Sequence, residues 1–277
     1  MPAPPDVEDM PDYLEVDTDP TDDRISHIRL ANPPHNVLTE AVVLELGEAI
    51  DAADRDPDID AIVLGSVDEP FCAGADLDEL ASLDVDAGNR WLTAYVETVD
   101  RLRETGKPTI AAVEGTCVAG GNELVMGCDL IIAGDTARFG QPEVGVGSTA
   151  AGGGLQLLPL EIGTRRAREL LLTGRLLDAD EAVEWGMINR AVEAGAAESV
   201  AADLATEIID NSSPQAYRVM KSIMKGWTNL AMHDREVTRE LTANVWASDE
   251  FTERAEAFRA GDGQSPRSFA GVRPDEE

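Results

Sequence analysis

Three short apolar runs, each followed by a turn and a helical pattern, most constrain what this chain can fold into. The runs cover residues 61–65, 109–113 and 129–133, and they are rich in isoleucine and valine. Short apolar runs of this kind are typical of strands buried on both faces of a sheet. The repeated order of strand, turn and helix predicts a layered α/β core. Several strands are too short, and the helices too unevenly spaced, for an ordinary doubly wound sheet.

The two ends of the chain differ from this central pattern. Residues 1–23 are acidic and rich in proline, which predicts a disordered or loosely attached tail. The core is expected over residues 24–210. From residue 213 onward, three stretches with helical periodicity predict a separate helical region, 211–277. Their apolar faces exceed what a lone module can bury, so we expect them to pack on the core or on a neighbouring subunit.

The charge balance narrows the classes of partner. The 277 residues include 54 acidic and 22 basic ones, so the net charge is 22 − 54 = −32. The acids are spread along the chain, as in proteins with a solvated surface adapted to high salt (a halophilic surface); an acidic face for a basic partner is the alternative reading. Nucleic-acid binding is disfavoured, because phosphate contacts need clustered lysine and arginine.

Cysteine and histidine are sparse. Cys72, Cys117 and Cys128 form no CxxC pair, and the three histidines are scattered, so no metal site is predicted. A sparse, odd cysteine count is typical of the reducing cytoplasm. The acidic start does not resemble a signal peptide, and no apolar run approaches the roughly 18 residues of a membrane span. We therefore expect a cytoplasmic protein.

Residues 114–147 carry the candidate chemistry. Two glycine-rich turns here each deliver a glutamate, Glu123 and Glu143, among apolar or small residues. Poor solvation raises the pKa of a carboxyl, and two such groups facing one cleft form an acid/base pair. Taken alone, each glutamate could equally be a helix-capping or turn acid. The run 145–150 fits a G-x-G-x-x-A dinucleotide pattern, but it follows no convincing strand, so that reading is disfavoured.

Five motifs in this order resemble the crotonase superfamily, also called the enoyl-CoA hydratase/isomerase superfamily. They are FCAGADL at 71–77, AAVEG at 111–115, AGGNEL at 119–124, CD at 128–129 and FGQPE at 139–143. The similarity extends from about Arg24 to Phe258. Motifs at this density specify the family more than the reaction, since the family hosts many reactions.

The resemblance implies an α/β fold, a crotonase-type spiral of ββα repeats with a C-terminal helical trimerisation region, assembled as a homotrimer or as a hexamer that is a dimer of trimers. It implies an acyl-CoA thioester as the partner and no separate cofactor, since coenzyme A is part of the substrate. By matching position, the backbone N–H groups of Ala75 and Gly120 form an oxyanion hole, and Gly120 lets the thioester approach. The other matched substrate positions are Ala73, Gly74, Asp76, Leu77 and Ala151, whose backbone helps to hold water.

Glu123 and Glu143 match the two catalytic glutamates of the family's hydratases. The implied reaction is reversible syn addition of water to a 2-enoyl-CoA, giving a 3-hydroxyacyl-CoA, in fatty-acid or related metabolism (beta-oxidation). We assign Glu143 to the proton on C2 and Glu123 to the water, although coupled carboxyls can share these roles. The alternatives are an isomerase, a lyase or another acyl-CoA enzyme of the superfamily; retention of both acids favours hydration. A nucleic-acid-binding relative is disfavoured by the charge, and a serine peptidase by the missing G-x-S-x-G.

Some positions depart from the family pattern. The loop 150–157 reads AAGGGLQL and lacks the usual proline, threonine and arginine. Asp78 stands where the family often has lysine, and the lysines that contact CoA phosphates are absent near the C-terminus, where Arg259 or Arg267 could substitute. We therefore expect weak CoA binding at low salt. We also expect Trp91 and Tyr95 to shape the pocket.

Overall fold

The computed structural model describes residues 13–264, and every structural statement below concerns those residues. The strands are β1 (Leu14–Thr18), β2 (Ile25–Leu30), β3 (Ala61–Ser66), β4 (Thr109–Val113), β5 (Thr116–Val118), β6 (Leu130–Gly134), β7 (Arg138–Gly140), β8 (Leu176–Asp178) and β9 (Arg190–Val192). The helices are α1 (Glu40–Arg55), α2 (Leu77–Ala81), α3 (Val85–Glu104), α4 (Gly120–Met126), α5 (Gly154–Glu161), α6 (Thr164–Thr173), α7 (Ala179–Trp185), α8 (Ala197–Asn211), α9 (Pro214–Ala231), α10 (Arg235–Trp246) and α11 (Asp249–Arg259). Short 3₁₀ turns lie at Pro142–Val146 and Met232–Asp234.

Two sheets carry the strands. The larger sheet has the order β1-β2-β3-β4-β6-β9, antiparallel between β1 and β2 and parallel elsewhere. The smaller sheet has the order β5-β7-β8. Successive segments place one strand in the large sheet and one in the small sheet before a helix: β4, β5 and α4, then β6, β7 and a 3₁₀ turn. This repetition confirms the predicted spiral of ββα units.

Helices cover both faces of the large sheet. The methyl-rich side of α8, formed by Ala197, Ala201 and Ala205, packs against the outer face of β3, β4 and β6. The opposite face joins α1, α3 and the small sheet in the main core. Because both faces are covered, β4 is buried along its whole length, as its uninterrupted apolar sequence predicts.

The N-terminal prediction is wrong in one part. Residues 14–18 were expected to belong to a disordered tail, but they form β1, which pairs with β2 in antiparallel register from Leu14↔Leu30 to Thr18↔Ser26. Pairing with the edge strand β2 satisfies the backbone hydrogen bonds of these residues, which composition alone could not predict. Leu14 is also buried against the core. Residues 1–12 lie outside the described part.

Two of the three C-terminal helices, α10 and α11, pack on the core, which is one of the two outcomes expected for this region. Trp246 of α10 and Phe251 of α11 belong to the same hydrophobic core as the sheet, so these helices fold back on the chain's own core. Helix α9 instead has no buried residue, and its apolar side chains lie 53–74% exposed. These are Val219, Met220, Ile223, Met224, Trp227 and Leu230. Along residues 13–264, no helix is long and apolar enough to cross a membrane.

Candidate active site

A cavity of about 700 Å³ opens where the chain leaves the carboxyl ends of β3 and β5. Its floor, as we name it, consists of residues 119–123, 141–143 and 151–154. Its mouth consists of residues 77–80 and 258–264. Both halves of the predicted site line this cavity, since Ala75, Gly120, Glu123 and Glu143 all face it. The sequence thus placed in one cavity four residues that are up to 68 positions apart.

Two backbone N–H groups at the cavity have no protein acceptor within the described residues, namely those of Ala75 and Gly120. Leu38 pairs with the residues on either side of Ala75. The Leu38 N–H donates to the Gly74 carbonyl (2.9 Å), and the Asp76 N–H donates to the Leu38 carbonyl (3.0 Å). Gly120 is the first residue of α4, so no helical carbonyl accepts its N–H. Both donors are therefore free for a ligand.

A strained turn aims the Gly120 N–H. Ala119 has φ 51°, a region that residues with side chains rarely adopt, and its own N–H donates to the Gly140 carbonyl at 3.0 Å. Gly74, at φ 96°, packs directly on this turn, because a Cβ there would lie 2.7 Å from the Ala119 Cβ. Close packing of these two turns brings the predicted donors to one place.

Packing supplies a second reason for glycine at position 120, beside the predicted approach of the thioester. A Cβ at this position would lie 3.0 Å from Leu38 Cδ1 and 3.2 Å from the Tyr95 hydroxyl oxygen. The added atom would therefore press on protein side chains as well as limit ligand access. The Tyr95 hydroxyl donates to the Gly120 carbonyl at 2.5 Å and so fixes the start of α4.

The two glutamates are almost completely removed from water. Glu123, in the first turn of α4, is 3% exposed, and Glu143, in the 3₁₀ turn Pro142–Val146, is 8% exposed. Burial raises the pKa of Glu123 to about 7, against the opposing effect of nearby backbone N–H groups. Burial also raises the pKa of Glu143 well above 4.5, and the charge of Glu123 raises it further. The pair can therefore hold and exchange protons near neutral pH.

Three consecutive glycines hold the carboxylate of Glu123. The Gly154 N–H, at the start of α5, donates to Glu123 Oε1 at 2.8 Å. Gly152 passes so close that a Cβ would lie 2.1 Å from Tyr95 Cε1 and 2.7 Å from Glu123 Oε2. The loop 150–157, which departs from the family pattern, thus still packs tightly against the carboxylate of Glu123. Helix α5 begins at the last of these glycines, Gly154.

Gln141 connects the remaining polar groups of the floor. With its amide nitrogen facing Glu143, this side chain donates to Glu143 Oε1 (2.8 Å) and to the Ala119 carbonyl (3.2 Å). Its oxygen then accepts from Asn122 Nδ2 at 3.2 Å. Gln141 is 1% exposed, so these bonds are shielded from water. The sequence motif contained Gln141 and Asn122, but no role was predicted for either.

Comparison with known proteins agrees with this geometry. Residues 21–260 match the family profile described as Enoyl-CoA hydratase/isomerase. The chain belongs to this family. It is 35% identical over 238 residues to "Probable enoyl-CoA hydratase echA8" of Mycobacterium tuberculosis, covering 86% of this chain and 92% of that protein. It is also 35% identical over 187 residues to "Short-chain-enoyl-CoA hydratase" of Clostridium acetobutylicum, covering 67% and 71%.

Solved structures of the enoyl-CoA hydratase/isomerase family share the fold. An enoyl-CoA hydratase/isomerase from Mycobacterium paratuberculosis superposes with a TM-score of 0.82 at 26% identity, covering 90% of this chain and 99% of that one. Another from Xanthobacter autotrophicus Py2 gives a TM-score of 0.81 at 29% identity, covering 90% and 93%. The crotonase-type fold predicted from the motifs is therefore confirmed.

The remaining matched positions of this family member fall into two groups. Ala73, Asp76, Leu77 and Ala151 line the cavity, whereas Gly74 does not and serves packing instead. Asp76 caps α2, since its carboxylate accepts from the Glu79 N–H at 2.8 Å.

The backbone of Ala151 is predicted to help hold water, but its N–H already has an acceptor in the protein. The Ala151 N–H donates to the Thr149 carbonyl at 3.0 Å, so the expected help in holding water cannot come from this N–H in the present geometry.

Aromatic residues from distant parts of the chain complete the cavity wall. Trp91 and Tyr95 line the cavity as expected, with ring centroids 5.4 Å apart. Trp246 of α10 joins them edge to face, 5.7 Å from Trp91, and its Nε1 donates to Ser148 Oγ at 2.7 Å. The helical periodicity of the C-terminal region predicts no role in the site for Trp246. Trp246 reaches the site because α10 folds back onto the core, and no local sequence pattern predicts this contact.

Charged side chains meet at the mouth. Arg259, at the end of α11, forms an ion pair with Asp78 of α2. Both lie in the cavity lining, and Arg259 is the one arginine or lysine in that lining within residues 13–264. Arg267, the other predicted phosphate contact, lies outside the described residues.

Proposed function

We propose that this chain is an enoyl-CoA hydratase, adding water reversibly across the 2,3-double bond of a 2-enoyl-CoA to give a 3-hydroxyacyl-CoA. The observation that carries the proposal is one cavity holding two buried carboxyls with raised pKa and two unpaired backbone donors. Members of the family related at about 35% identity bear hydratase names, which supports the same reaction class.

The backbone N–H groups of Ala75 and Gly120 are proposed to bind the thioester oxygen. Negative charge develops on this oxygen when the water oxygen bonds to C3. Fixed donors that meet developing charge stabilise the transition state, and one such donor is typically worth about 3–4 kcal/mol. Neither N–H has a protein acceptor within residues 13–264 that would compete for it.

The difference between the two carboxyls supports the division of roles. Burial and the charge of Glu123 raise the pKa of Glu143 well above 4.5, which favours its protonated form and supports the proposed role of delivering a proton to C2. Glu123, with a pKa of about 7, is ionised in a large fraction of molecules at neutral pH and takes the proton of the attacking water. Return of a proton from Glu123 to Glu143 restores the pair. Because Glu123 and Glu143 line the same cavity, we expect both to act on the same face of the substrate, which gives syn addition.

Coenzyme A is proposed to enter only as part of the substrate, without a separate cofactor or metal. The exposed apolar face of α9 supports assembly of copies of this chain, and we propose the homotrimer or dimer of trimers that the family resemblance implies. The net charge of −32 supports a salt-adapted cytoplasmic enzyme that does not bind nucleic acid. The Michaelis constant for crotonyl-CoA should then fall as salt is added; a flat or rising constant contradicts salt adaptation of binding.

The reaction is tested by following crotonyl-CoA in high salt. Hydration removes the absorbance of the conjugated enoyl thioester and forms 3-hydroxybutyryl-CoA, which mass spectrometry identifies as a gain of one water. No loss of absorbance contradicts the proposal. Conversion of a 3-enoyl-CoA to the conjugated isomer at a higher rate than hydration would favour an isomerase of the same superfamily instead.

A further inference from the structure

Helix α11 contacts elements on two sides of the cavity, namely α2 and the 3₁₀ turn Pro142–Val146. On the side of Glu143, Arg254 Nη1 donates to the Gly145 carbonyl at 3.4 Å. Phe251 anchors the start of the helix in the core, with no exposed surface. On the opposite side, the last residue of the helix, Arg259, pairs with Asp78 beside the Ala75 donor. The helix is thus attached to both halves of the site, and the ion pair is its attachment at the mouth.

The two attachments differ in how easily they can be exchanged. Phe251 is packed in the core, whereas Arg259 and Asp78 are 39% and 67% exposed. Exposed ion pairs contribute little net stability, so an incoming anion can compete for the guanidinium. Phosphate is a strong competitor, because the planar guanidinium fork binds its oxygens in a bidentate manner.

The cavity lining is otherwise unsuited to an anionic ligand. The acidic residues nearest the mouth are Asp76 and Asp78, and no lysine occurs in the lining within residues 13–264. A substrate that carries phosphates must therefore reach the cavity past carboxylates. The only fixed positive charge of the described lining is the one that Asp78 already occupies.

We propose that the Asp78–Arg259 ion pair is an exchangeable latch, in which the phosphates of the acyl-CoA take Arg259 from Asp78 when the substrate binds. Asp78 then acts as an internal competitor that sets the affinity for CoA, and Arg259 is the phosphate-binding residue of the mouth. No bond is made or broken covalently, since only the partner of the guanidinium changes. This inference rests on the proposed acyl-CoA substrate.

The test measures binding of CoA itself by calorimetry at fixed ionic strength, with pantetheine, which lacks every phosphate, as the matched ligand. Asp78→Asn should tighten CoA binding about two- to fivefold, because the competitor loses its charge. Arg259→Gln should weaken it about three- to tenfold. Neither substitution should change pantetheine binding. Asp58→Asn, which removes one exposed charge in the turn before β3, should leave both ligands unaffected.

The double variant distinguishes competition between Asp78 and phosphate for Arg259 from direct repulsion between Asp78 and the phosphates. If Asp78 acts through Arg259, Asp78→Asn has no effect on CoA binding in an Arg259→Gln background. A persisting two- to fivefold gain in that background overturns the latch, as does an equal effect on pantetheine, or no CoA binding by the unaltered chain. The hydratase proposal can fail independently of the latch. If the chain binds CoA with this pattern but does not hydrate crotonyl-CoA, the latch is supported and only the assigned reaction is wrong.

Discussion

In the floor of the cavity, Gly152 has no room for a single methyl group, whereas at the mouth Asp78 and Arg259 are 67% and 39% exposed. The floor holds its donors and acids by close packing and by bonds shielded from water. The mouth is held by an ion pair in contact with solvent. The positions of the floor residues therefore depend on packing, which salt does not screen. The ion pair at the mouth, in contrast, is accessible to both salt and substrate.

The largest effect is expected from Glu143, the proposed proton donor in the floor. Glu143→Gln should lower kcat for crotonyl-CoA hydration by about 10²- to 10⁴-fold, because the amide cannot deliver a proton to C2. The affinity for CoA should remain, since the amide keeps the shape of the side chain. Glu48→Gln, on the exposed face of α1, is the matched control and should keep full activity. Equal loss of CoA affinity would assign Glu143 a structural role instead.

Packing in the floor is tested next by Gly152→Ala. The new Cβ would meet Tyr95 and the Glu123 carboxylate, so we expect about 1–3 kcal/mol lower free energy of unfolding, as overpacked cores show. We also expect a fall in kcat, because Glu123 is displaced. Gly226→Ala on α9, where a Cβ has open space, is the control. Denaturant unfolding and initial rates measure both, and an active, fully stable Gly152→Ala enzyme would contradict the close packing.

The raised pKa of Glu123 makes a prediction about stability. The folded chain keeps this proton up to a pKa of about 7, whereas the unfolded chain releases it near 4.5, so stability falls as pH rises between these values. Glu123→Gln avoids this loss. The variant should therefore gain roughly 1–3 kcal/mol over the parent chain above pH 7 and nothing below pH 4.5. Thermal unfolding across this range tests it; a constant difference at every pH contradicts the burial effect.

A smaller effect is expected where the C-terminal region supports the floor. Trp246→Phe keeps an aromatic edge against Trp91 but removes the hydrogen bond to Ser148, so unfolding should become easier by about 1 kcal/mol. Ser148→Ala should cost a similar amount, and the double variant should cost little more than either alone. Fully additive losses in a denaturant double-mutant cycle would show that the two side chains act independently.

Much of the site could be predicted because its parts lie in local motifs. Ala75 and Gly120 were identified by their matching positions in two family motifs, and for Gly120 the start of α4 accounts for the unpaired N–H. Strands of three residues, such as β5 and β8, were missed because they are too short to show periodicity. The loop 152–154 and Trp246 were not assigned because their roles arise from contacts between segments about 30 and 100 residues apart in sequence.

The hydrogen bonds of Gln141 have a consequence for how the site responds to change. Its nitrogen donates both to Glu143 and to the carbonyl of Ala119, and that carbonyl belongs to the same peptide group as the Gly120 N–H. A donor on the carbonyl polarises the peptide and strengthens its N–H as a donor. One side-chain amide thus links Glu143, the proposed proton donor, to the Gly120 N–H, the proposed donor to the thioester oxygen. The rate losses from replacing Gln141 and Glu143 should consequently be non-additive, because the two residues share one cooperative unit.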